Sequence, residues 1–482
     1  MNASAGGVAP AWLRANASRL ALLALYMLAT GYAIAAHAMW RDEMQAWLIA
    51  RDSAEIRALF HNLHYEGHPA LWYLLLMPLT RLGGDPVLMQ ALHFAIAAAT
   101  VALVLWRAPL SAFERTLFPF GYFILYEYAV KSRSYALGSL LLFMFAALWR
   151  RRRDSPLLIA LVLALMANVH ALFMIVSAAA VAALVVDRLV GMPSGRERNP
   201  ASRRADALAI AIVGMGWGIA IATAMPPPDS GFVPDWFFGV SLGRFGHSAL
   251  PLAAILLLAL VRFRNSPAAA TLLGTSLFGF LAFFYFKYPG AIWHYGIGAM
   301  VLLAAVWIDR SPAHEPAGVP GFKPLVPAVL FGAALAVQAL PGVVALRGEL
   351  QQPLSRGRDA ARFIVAKGWA SDPIIGMHDF RTVPIIGYLG VDRAYFANGL
   401  RWGSFTVWDR QRLEPVNLQR VLEDTVAFGP AATLIVAAGI EVDPALLHGH
   451  GFDEVARFDG AKVPEENYTI YRRPGSDASL RR

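Results

Sequence analysis

Long stretches without a charged side chain recur along this 482-residue chain, and they restrict its fold more than any other feature. About 20 apolar residues are enough for a helix to cross a bilayer, where only helices and closed barrels satisfy their backbone hydrogen bonds. Of all residues, 57% are hydrophobic and 16% charged, a balance that water-soluble domains of this size do not reach. The sequence predicts a polytopic α-helical membrane protein.

Eleven stretches suit membrane helices, although several are shorter than an untilted span requires. They are 20–39, 86–106, 116–130, 134–149, 155–169, 171–186, 207–225, 245–261, 267–286, 291–308 and 324–346. The first run has no small-residue cleavage site after it, so we expect a retained helix rather than a removed signal peptide.

A further apolar stretch, 69–82, decides which side every later loop faces, because it has only 14 residues and contains Pro78 and Arg81. If it does not span, seventeen Lys and Arg lie on the N-terminal side and eight on the other; if it spans, the numbers become seven and eighteen. Lys and Arg concentrate on the cytoplasmic side. We therefore predict a cytoplasmic N-terminus in a bacterial inner membrane, with 69–82 as an interfacial helix in a long first external loop.

From about residue 347 the composition becomes that of a small α/β domain. Helical stretches near 355–367 and 411–427 alternate with strand-like runs at 373–377, 433–436, 454–458 and 468–471. The predicted domains are thus a transmembrane domain, 1–346, and an external α/β domain, 347–482.

Charge and cysteine content exclude several classes of function. The net charge of +9 comes mostly from arginines at the ends of apolar runs, where they are topology signals, so no nucleic-acid partner is expected. The chain has no cysteine, which excludes disulfides, thiolate metal sites and a cysteine nucleophile.

Two adjacent carboxylates, Asp42 and Glu43, follow the first predicted membrane helix. The residues after them fit an amphipathic helix in the membrane interface. Acids at a membrane surface suit a general base or a metal ligand. The alternative is that Asp42 only caps that helix, since acids favour the first helical turn.

Further polar residues lie in the same predicted external loops. Pro69 fixes the start of the interfacial helix and holds His68 at the membrane, where it could bind a metal or a phosphate, or simply make a local hydrogen bond. Between the third and fourth predicted helices, Arg133 has a planar fork that can bind two phosphate oxygens. Its simple alternative is an ion pair with Glu127.

Later external segments add His170, Asp229, Asp235, Lys287 and His294. Each is a weak signal by itself. A histidine in an aromatic helix, such as His294, is more often a packing residue with one hydrogen bond than a ligand.

Three of these motifs resemble, in the same order, those of the C-type glycosyltransferase superfamily, in particular bacterial relatives of protein O-mannosyltransferases and of the lipid A aminoarabinose transferase. They are Asp42-Glu43, His68-Pro69 with Leu71-Trp72-Tyr73, and Arg133-Ser134-Tyr135. The resemblance covers roughly residues 20 to 310. The C-terminal part looks like a tail attached to some bacterial members and suggests no activity.

The resemblance implies a polyprenyl-phosphate sugar donor, an external active site and an acceptor hydroxyl on an envelope lipid, glycan or protein. By this analogy Asp42, with Glu43 beside it, is the catalytic base of an inverting transfer. Four residues would bind the donor phosphate: Arg133, Lys131, Lys287 and His294. Candidates for substrate or metal binding are His68, Glu127 and Tyr135.

The chain also departs from the family. Many relatives carry an acid where this chain has Tyr135, so a second carboxylate would have to come from Glu127. Some relatives have an arginine where this chain has Trp293. These differences leave open whether a divalent cation takes part; if one does, Asp42, His68 and Glu127 are its expected ligands.

Two other classes of function compete with a transferase. A transporter or flippase for a lipid-linked or anionic substrate usually places charges near the bilayer midplane and often shows inverted repeats, whereas here the charges cluster at one face and no repeat is visible. The other alternative is a non-catalytic membrane protein whose external tail binds a partner.

Overall fold

The fold is described from a computed structural model that covers residues 11–190, 200–231, 262–263, 265–287, 290–311, 325–425, 433–439 and 442–475. It consists of a helical membrane part followed by a small α/β domain. The helices of the membrane part are α1 Ala11–Ala36, α2 Arg41–Asp52, α3 Ile56–Leu63, α4 Leu71–Leu82, α5 Val87–Arg107, α6 Ala112–Leu117, α7 Tyr135–Leu148, α8 Pro156–Ala167, α9 Ala171–Val190, α10 Pro200–Ala224, α11 Pro267–Phe286, α12 Ile292–Asp309 and α13 Leu325–Gln351.

Seven of the described helices are long and apolar enough to cross a membrane. They are α1, α5, α9, α10, α11, α12 and the part of α13 from Phe331. Large apolar side chains on their outer faces stay exposed, for example Leu28, Ile210 and Val337. Exposed apolar surface of this kind is what lipid-facing helices require. The predicted class, a polytopic helical membrane protein, is confirmed.

The predicted number of eleven spans is not confirmed. The predicted span 116–130 is not one helix: α6 is followed by a 3-10 turn, Phe118–Phe120, and a π-helical turn, Phe123–Glu127. Pro119 lacks a backbone donor and Gly121 follows in an extended conformation, which together interrupt the α-helix. The predicted span 245–261 lies outside the described residues.

Helix α4 corresponds to the ambiguous stretch 69–82 and has 12 residues. At about 1.5 Å per residue it is roughly 18 Å long, whereas the hydrocarbon core is about 30 Å thick. The backbone N–H of Leu71 donates to Asn168 O (2.9 Å), just after α8, so the start of α4 is attached to the helix bundle. Arg81, in its last turn, donates to the backbone oxygen of Ser53 (2.7 Å), so α4 ends beside α2.

Ion pairs join the helix ends opposite Asp42. They are Glu114–Arg310 (2.7 Å), Arg152–Asp187 (2.7 Å), Arg188–Asp206 (2.6 Å) and Arg262–Asp309 (2.7 Å). These arginines all belong to the set predicted to be cytoplasmic. Each of these arginines therefore pairs with an acid on a neighbouring segment, in addition to its predicted role as a topology signal.

The C-terminal domain contains the predicted α/β arrangement. In chain order its elements are α14 Gly357–Ala366, β1 Ile374–Gly376, α15 Asp379–Leu389, β2 Ala394–Phe396, β3 Arg401–Gly403, α16 Leu418–Thr425, β4 Thr433–Ala438, α17 Pro444–Gly449, β5 Asp453–Phe458 and β6 Tyr468–Arg473. The sheet order is β3-β2-β1-β4-β6-β5, with β2, β1 and β4 parallel and both edges antiparallel. The four predicted strands are found, whereas β2, β3, α15 and α17 were not predicted.

The C-terminal domain packs directly on α2. Gly387 of α15 lies against Met44 of α2, where an added Cβ would come within 2.5 Å of the Met44 sulfur. The Tyr388 hydroxyl accepts from the backbone N–H of Met39 (2.7 Å). Helix α13 is continuous to Gln351, past the predicted domain boundary at 346, and so leads from the membrane part into this domain.

Candidate active site

Asp42 stands in the first turn of α2 and forms an ion pair with Arg133, whose Nη1 donates to Asp42 Oδ2. The Asp42 and Arg133 side chains are 19% and 18% exposed, so the pair is partly exposed at the protein surface. Within the described part of the chain, this is the one side-chain hydrogen bond of Arg133. The guanidinium therefore keeps donors with which it could bind an anion.

The contact between Asp42 and Arg133 also limits the topology. Helix α5 lies between them in the chain and is long enough to cross a membrane. If α4 does not cross, the chain must return within residues 108–130. The hydrogen bonds from Arg81, in the last turn of α4, to the backbone oxygens of Arg51 and Ser53 at the end of α2 agree with an α4 that begins and ends on the side of Asp42. This is the arrangement predicted from the Lys and Arg distribution; which side is cytoplasmic stays a prediction.

Glu43 is fully buried and points away from this pair. Its Oε1 accepts from the backbone N–H of Ser132 (2.5 Å), and its Oε2 contacts His37 Nε2 (2.8 Å) and accepts from the backbone N–H of Trp40 (3.3 Å). Its carboxylate oxygens are thus occupied within the protein. The catalytic role predicted for Glu43 is untested, and these contacts favour a structural role.

Lys131 and Glu127 pair with each other. Lys131 Nζ donates to both carboxylate oxygens of Glu127 (3.0 Å each), and Glu127 Oε2 also accepts from the Tyr122 hydroxyl (2.9 Å). The alternative interpretation, an ion pair between Arg133 and Glu127, is therefore wrong. Glu127 is also not the second carboxylate beside Asp42.

That second carboxylate is Glu66, which was not singled out as a site residue although it lies two residues before His68. It is half-buried, and Gln45 Nε2 and the Trp408 indole donate hydrogen bonds to it. Burial, and to a smaller extent the charge of Asp42, raise the pKa of Glu66 to about 7, against these hydrogen bonds and Arg133. A carboxyl that titrates near neutral pH thus lies beside the Asp42–Arg133 pair.

Histidine and tyrosine rings cluster near Arg133. The ring centroids of His68 and His170 are 5.0 Å apart, those of His170 and Tyr135 are 5.2 Å apart, and the Tyr135 hydroxyl is 3.1 Å from His294 Nε2. The Arg133 guanidinium lies 5.4 Å from the centre of the Tyr135 ring. The structure therefore brings together four residues that the sequence analysis treated separately.

The pKa values of two of these histidines are low. Burial and then the charge of Arg133 lower the pKa of His68 to about 4, and its buried Nδ1 has no hydrogen-bond partner among the described residues. Burial and the neighbouring histidines hold the pKa of His170 well below its usual range. Neutral imidazoles can orient a polar ligand without adding charge next to Arg133.

The predicted metal-ligand set of Asp42, His68 and Glu127 is not assembled. Glu127 is directed at Lys131 and Tyr122, and in the described ranges no group of three or more His, Asp or Glu side chains could hold a metal ion. This corrects the proposed ligand set. Lys287 follows the end of α11, and its predicted contact with the donor phosphate stays a prediction.

The residues that sequence reasoning missed most clearly are His37 and Glu349. His37 Nδ1 is 2.7 Å from Glu349 Oε1, although 312 positions separate them, and Glu349 Oε2 accepts from the Tyr126 hydroxyl (2.7 Å). Both lie at the ends of apolar runs, where ionisable residues usually have a partner. That signal could have marked them, but it does not name the partner.

No protein-family model matches this sequence, and no curated protein matches it. Among solved structures, the chain is similar to ArnT from Cupriavidus metallidurans in the crystal structure bound to undecaprenyl phosphate. The TM-score is 0.55 at 14% sequence identity, over 97% of this chain and 99% of that one. This likeness shows that the chain shares the fold of that protein.

Proposed function

We propose that this chain is a membrane glycosyltransferase that moves a sugar from a polyprenyl-phosphate donor to an acceptor hydroxyl on the external face of a bacterial inner membrane. The observation that carries the proposal is the Asp42–Arg133 pair, which joins a carboxylate and a guanidinium at an accessible site next to neutral histidine rings. The fold of a protein crystallised with undecaprenyl phosphate adds support. The N-terminus would be cytoplasmic and the domain 347–482 periplasmic.

Arg133 is the proposed contact for the donor phosphate. The donor phosphate is a diester with one negative charge, and its two non-bridging oxygens can compete with Asp42 for the guanidinium, since Arg binds phosphate oxygens through two parallel hydrogen bonds. Arg133 moving from Asp42 to the phosphate would leave the carboxylate free to accept a proton. Donor binding and release of the base are thereby coupled.

The transfer then needs one base and one charged contact. Asp42 takes the proton of the acceptor hydroxyl as its oxygen attacks the anomeric carbon, with inversion. The bond between that carbon and the phosphate oxygen breaks, and its electron pair leaves with the polyprenyl phosphate. Arg133 neutralises the charge that develops on the phosphate. A hydrogen-bond donor that is already in position stabilises such charge most strongly. His294, Lys131 and Lys287 are proposed as further contacts on the donor side.

Asp42→Asn tests the proposal. A positioned general base typically contributes about 10²- to 10⁴-fold to the rate, so sugar transfer from a polyprenyl-phosphate donor should fall by a factor of this order in the purified variant. Exposed Glu55, changed to Gln, is the control and should keep the wild-type rate. Transfer at the normal rate by a folded Asp42→Asn protein would exclude the mechanism. Uptake of labelled substrate into vesicles without a covalent product would favour the transporter instead.

A further inference from the structure

We propose that His37 is a positioning residue that fixes the relative placement of Asp42 and Arg133, and that Glu349 at the end of α13 holds His37 in this role. The inference rests on the proposed function, since it concerns the geometry of the same site. It gives a task to two buried residues that the transfer mechanism itself does not use.

His37 is enclosed between two carboxylates. Its Nε2 is 2.8 Å from Glu43 Oε2 and its Nδ1 is 2.7 Å from Glu349 Oε1, and all three side chains are fully buried. A histidine ring donates from both nitrogens when both carry protons. Two carboxylates without such a partner would be costly to bury. The ring therefore ties Glu43 and Glu349 together.

His37, Glu43 and Glu349 form a buried triad, and Glu43 connects it to both Asp42 and Arg133. It follows Asp42 in α2, and its Oε1 accepts from the backbone N–H of Ser132, the residue before Arg133. A displacement of the Glu43 carboxylate would therefore shift the backbone at both members of the Asp42–Arg133 pair. In the described residues His37 hydrogen-bonds Glu43 and Glu349 rather than Asp42 or Arg133, so it acts through Glu43.

The other end of the triad, Glu349, is held by residues outside α2. Glu349 lies two residues before the end of α13, which leads into the C-terminal domain, and it also accepts from Tyr126. Arg358 of that domain donates to the backbone oxygens of Ala36 (2.8 Å) and His37 (3.2 Å). Both the ring and the backbone of His37 are thus held from the C-terminal side of the chain.

The test measures binding of undecaprenyl phosphate to the purified full-length protein, with Kd and stoichiometry determined separately. Glu349→Gln keeps the shape of the side chain but removes its charge, and His37→Gln keeps one donor. We expect Kd to rise about tenfold in each single variant at unchanged stoichiometry. The double variant should be no weaker than the singles, because both changes break the same connection. Gln352→Ala, one turn further along and exposed, is the matched control and should bind like wild type.

The outcomes separate this inference from the proposed function. If wild type does not bind undecaprenyl phosphate, the proposed function fails. If wild type binds and Glu349→Gln keeps the wild-type Kd, the positioning role is wrong while the function stands. A loss of stoichiometry with unchanged Kd would indicate that the triad only supports folding, which also overturns the inference. If His37→Gln fails to fold, the Kd of the isosteric Glu349→Gln variant still tests the positioning role.

Discussion

At the scale of single residues, the site contains two ion pairs whose side chains differ in solvent exposure. Asp42 and Arg133 form an accessible pair, whereas Lys131 and Glu127 form one in which the carboxylate is almost fully buried. A ligand phosphate can displace a partner more easily from the accessible pair, because a buried pair loses more when it is broken. Arg133 is therefore the cation that an incoming anion should meet first.

The titration of Glu66 gives a pH prediction at this scale. Its pKa of about 7 means that the carboxyl is largely neutral at pH 6 and largely charged at pH 8. The added negative charge should weaken anion binding by about fivefold, the size of a ~1 kcal/mol interaction between partly solvated charges. We therefore expect Glu66→Gln to bind undecaprenyl phosphate like wild type at pH 6 and about fivefold more tightly at pH 8.

Comparing the two proteins at each pH cancels the titration of the lipid phosphate itself. Glu55→Gln, which removes an exposed acid from the same segment, should match wild type at both pH values. Equal affinities of Glu66→Gln and wild type at pH 8 would mean that the charge of Glu66 does not reach the phosphate.

At the scale of elements, two irregular segments determine which residues meet. Helix α4 stays beside α2, since Arg81 in its last turn donates to Ser53 O, and the segment after α6 is broken at Pro119 and Gly121. The break lets α13 approach closely: an added Cβ at Gly342 would come within 2.4 Å of the Phe120 backbone oxygen. Only glycine fits there, and this close contact helps bring Glu349 to Tyr126 and His37.

Cysteine labelling tests the path of α4, since the chain contains no cysteine of its own. Exposed Glu55 and Gly84 flank α3 and α4, and exposed Arg153 follows α7 at the opposite end. In single variants carrying cysteine at one of these positions, we expect a membrane-impermeant maleimide to label 55 and 84 from the external side of intact spheroplasts. Position 153 should react only after permeabilisation. Labelling of 55 and 84 from opposite sides would mean that α4 crosses.

At the scale of the whole molecule, the C-terminal domain forms part of the surroundings of the site. Gln45 on α2 donates to Thr406 O (2.8 Å) and accepts from its N–H (2.9 Å), and Ser404 donates to Asp52 at the end of the helix. Together with Tyr388 and Gly387, these contacts hold α2 along its length. The domain that suggested no activity from sequence therefore supports the helix that carries Asp42.

A substitution at this interface tests that role. Gly387→Leu would force α15 away from Met44, and overpacking of this kind typically costs about 1–3 kcal/mol. We expect thermal unfolding a few degrees below wild type and slower sugar transfer by the folded protein. Gly449→Leu places the same side chain in the same domain where nothing lies within 4 Å, and should leave both unchanged. Wild-type values for Gly387→Leu would show that the close contact is dispensable.

Much of the fold could be predicted because its signals are local. Hydropathy located most of the described membrane helices, and strand-like runs between helical stretches located β1, β4, β5 and β6. Strands β2 and β3, which have three residues each as β1 does, were not predicted. Asp42, His68 and Arg133 could be selected because charged and polar residues at membrane depth are rare.

The sequence by itself determined which segments must avoid water and, through its basic residues, which loops should share one side of the membrane. Only the tertiary structure decided the partners: Asp42 with Arg133, Lys131 with Glu127, and His37 with both Glu43 and Glu349. Hydropathy is a property of neighbouring residues, whereas these pairs join positions up to 312 residues apart. Their choice depends on how the helices pack and on the cost of leaving any buried charge unpaired.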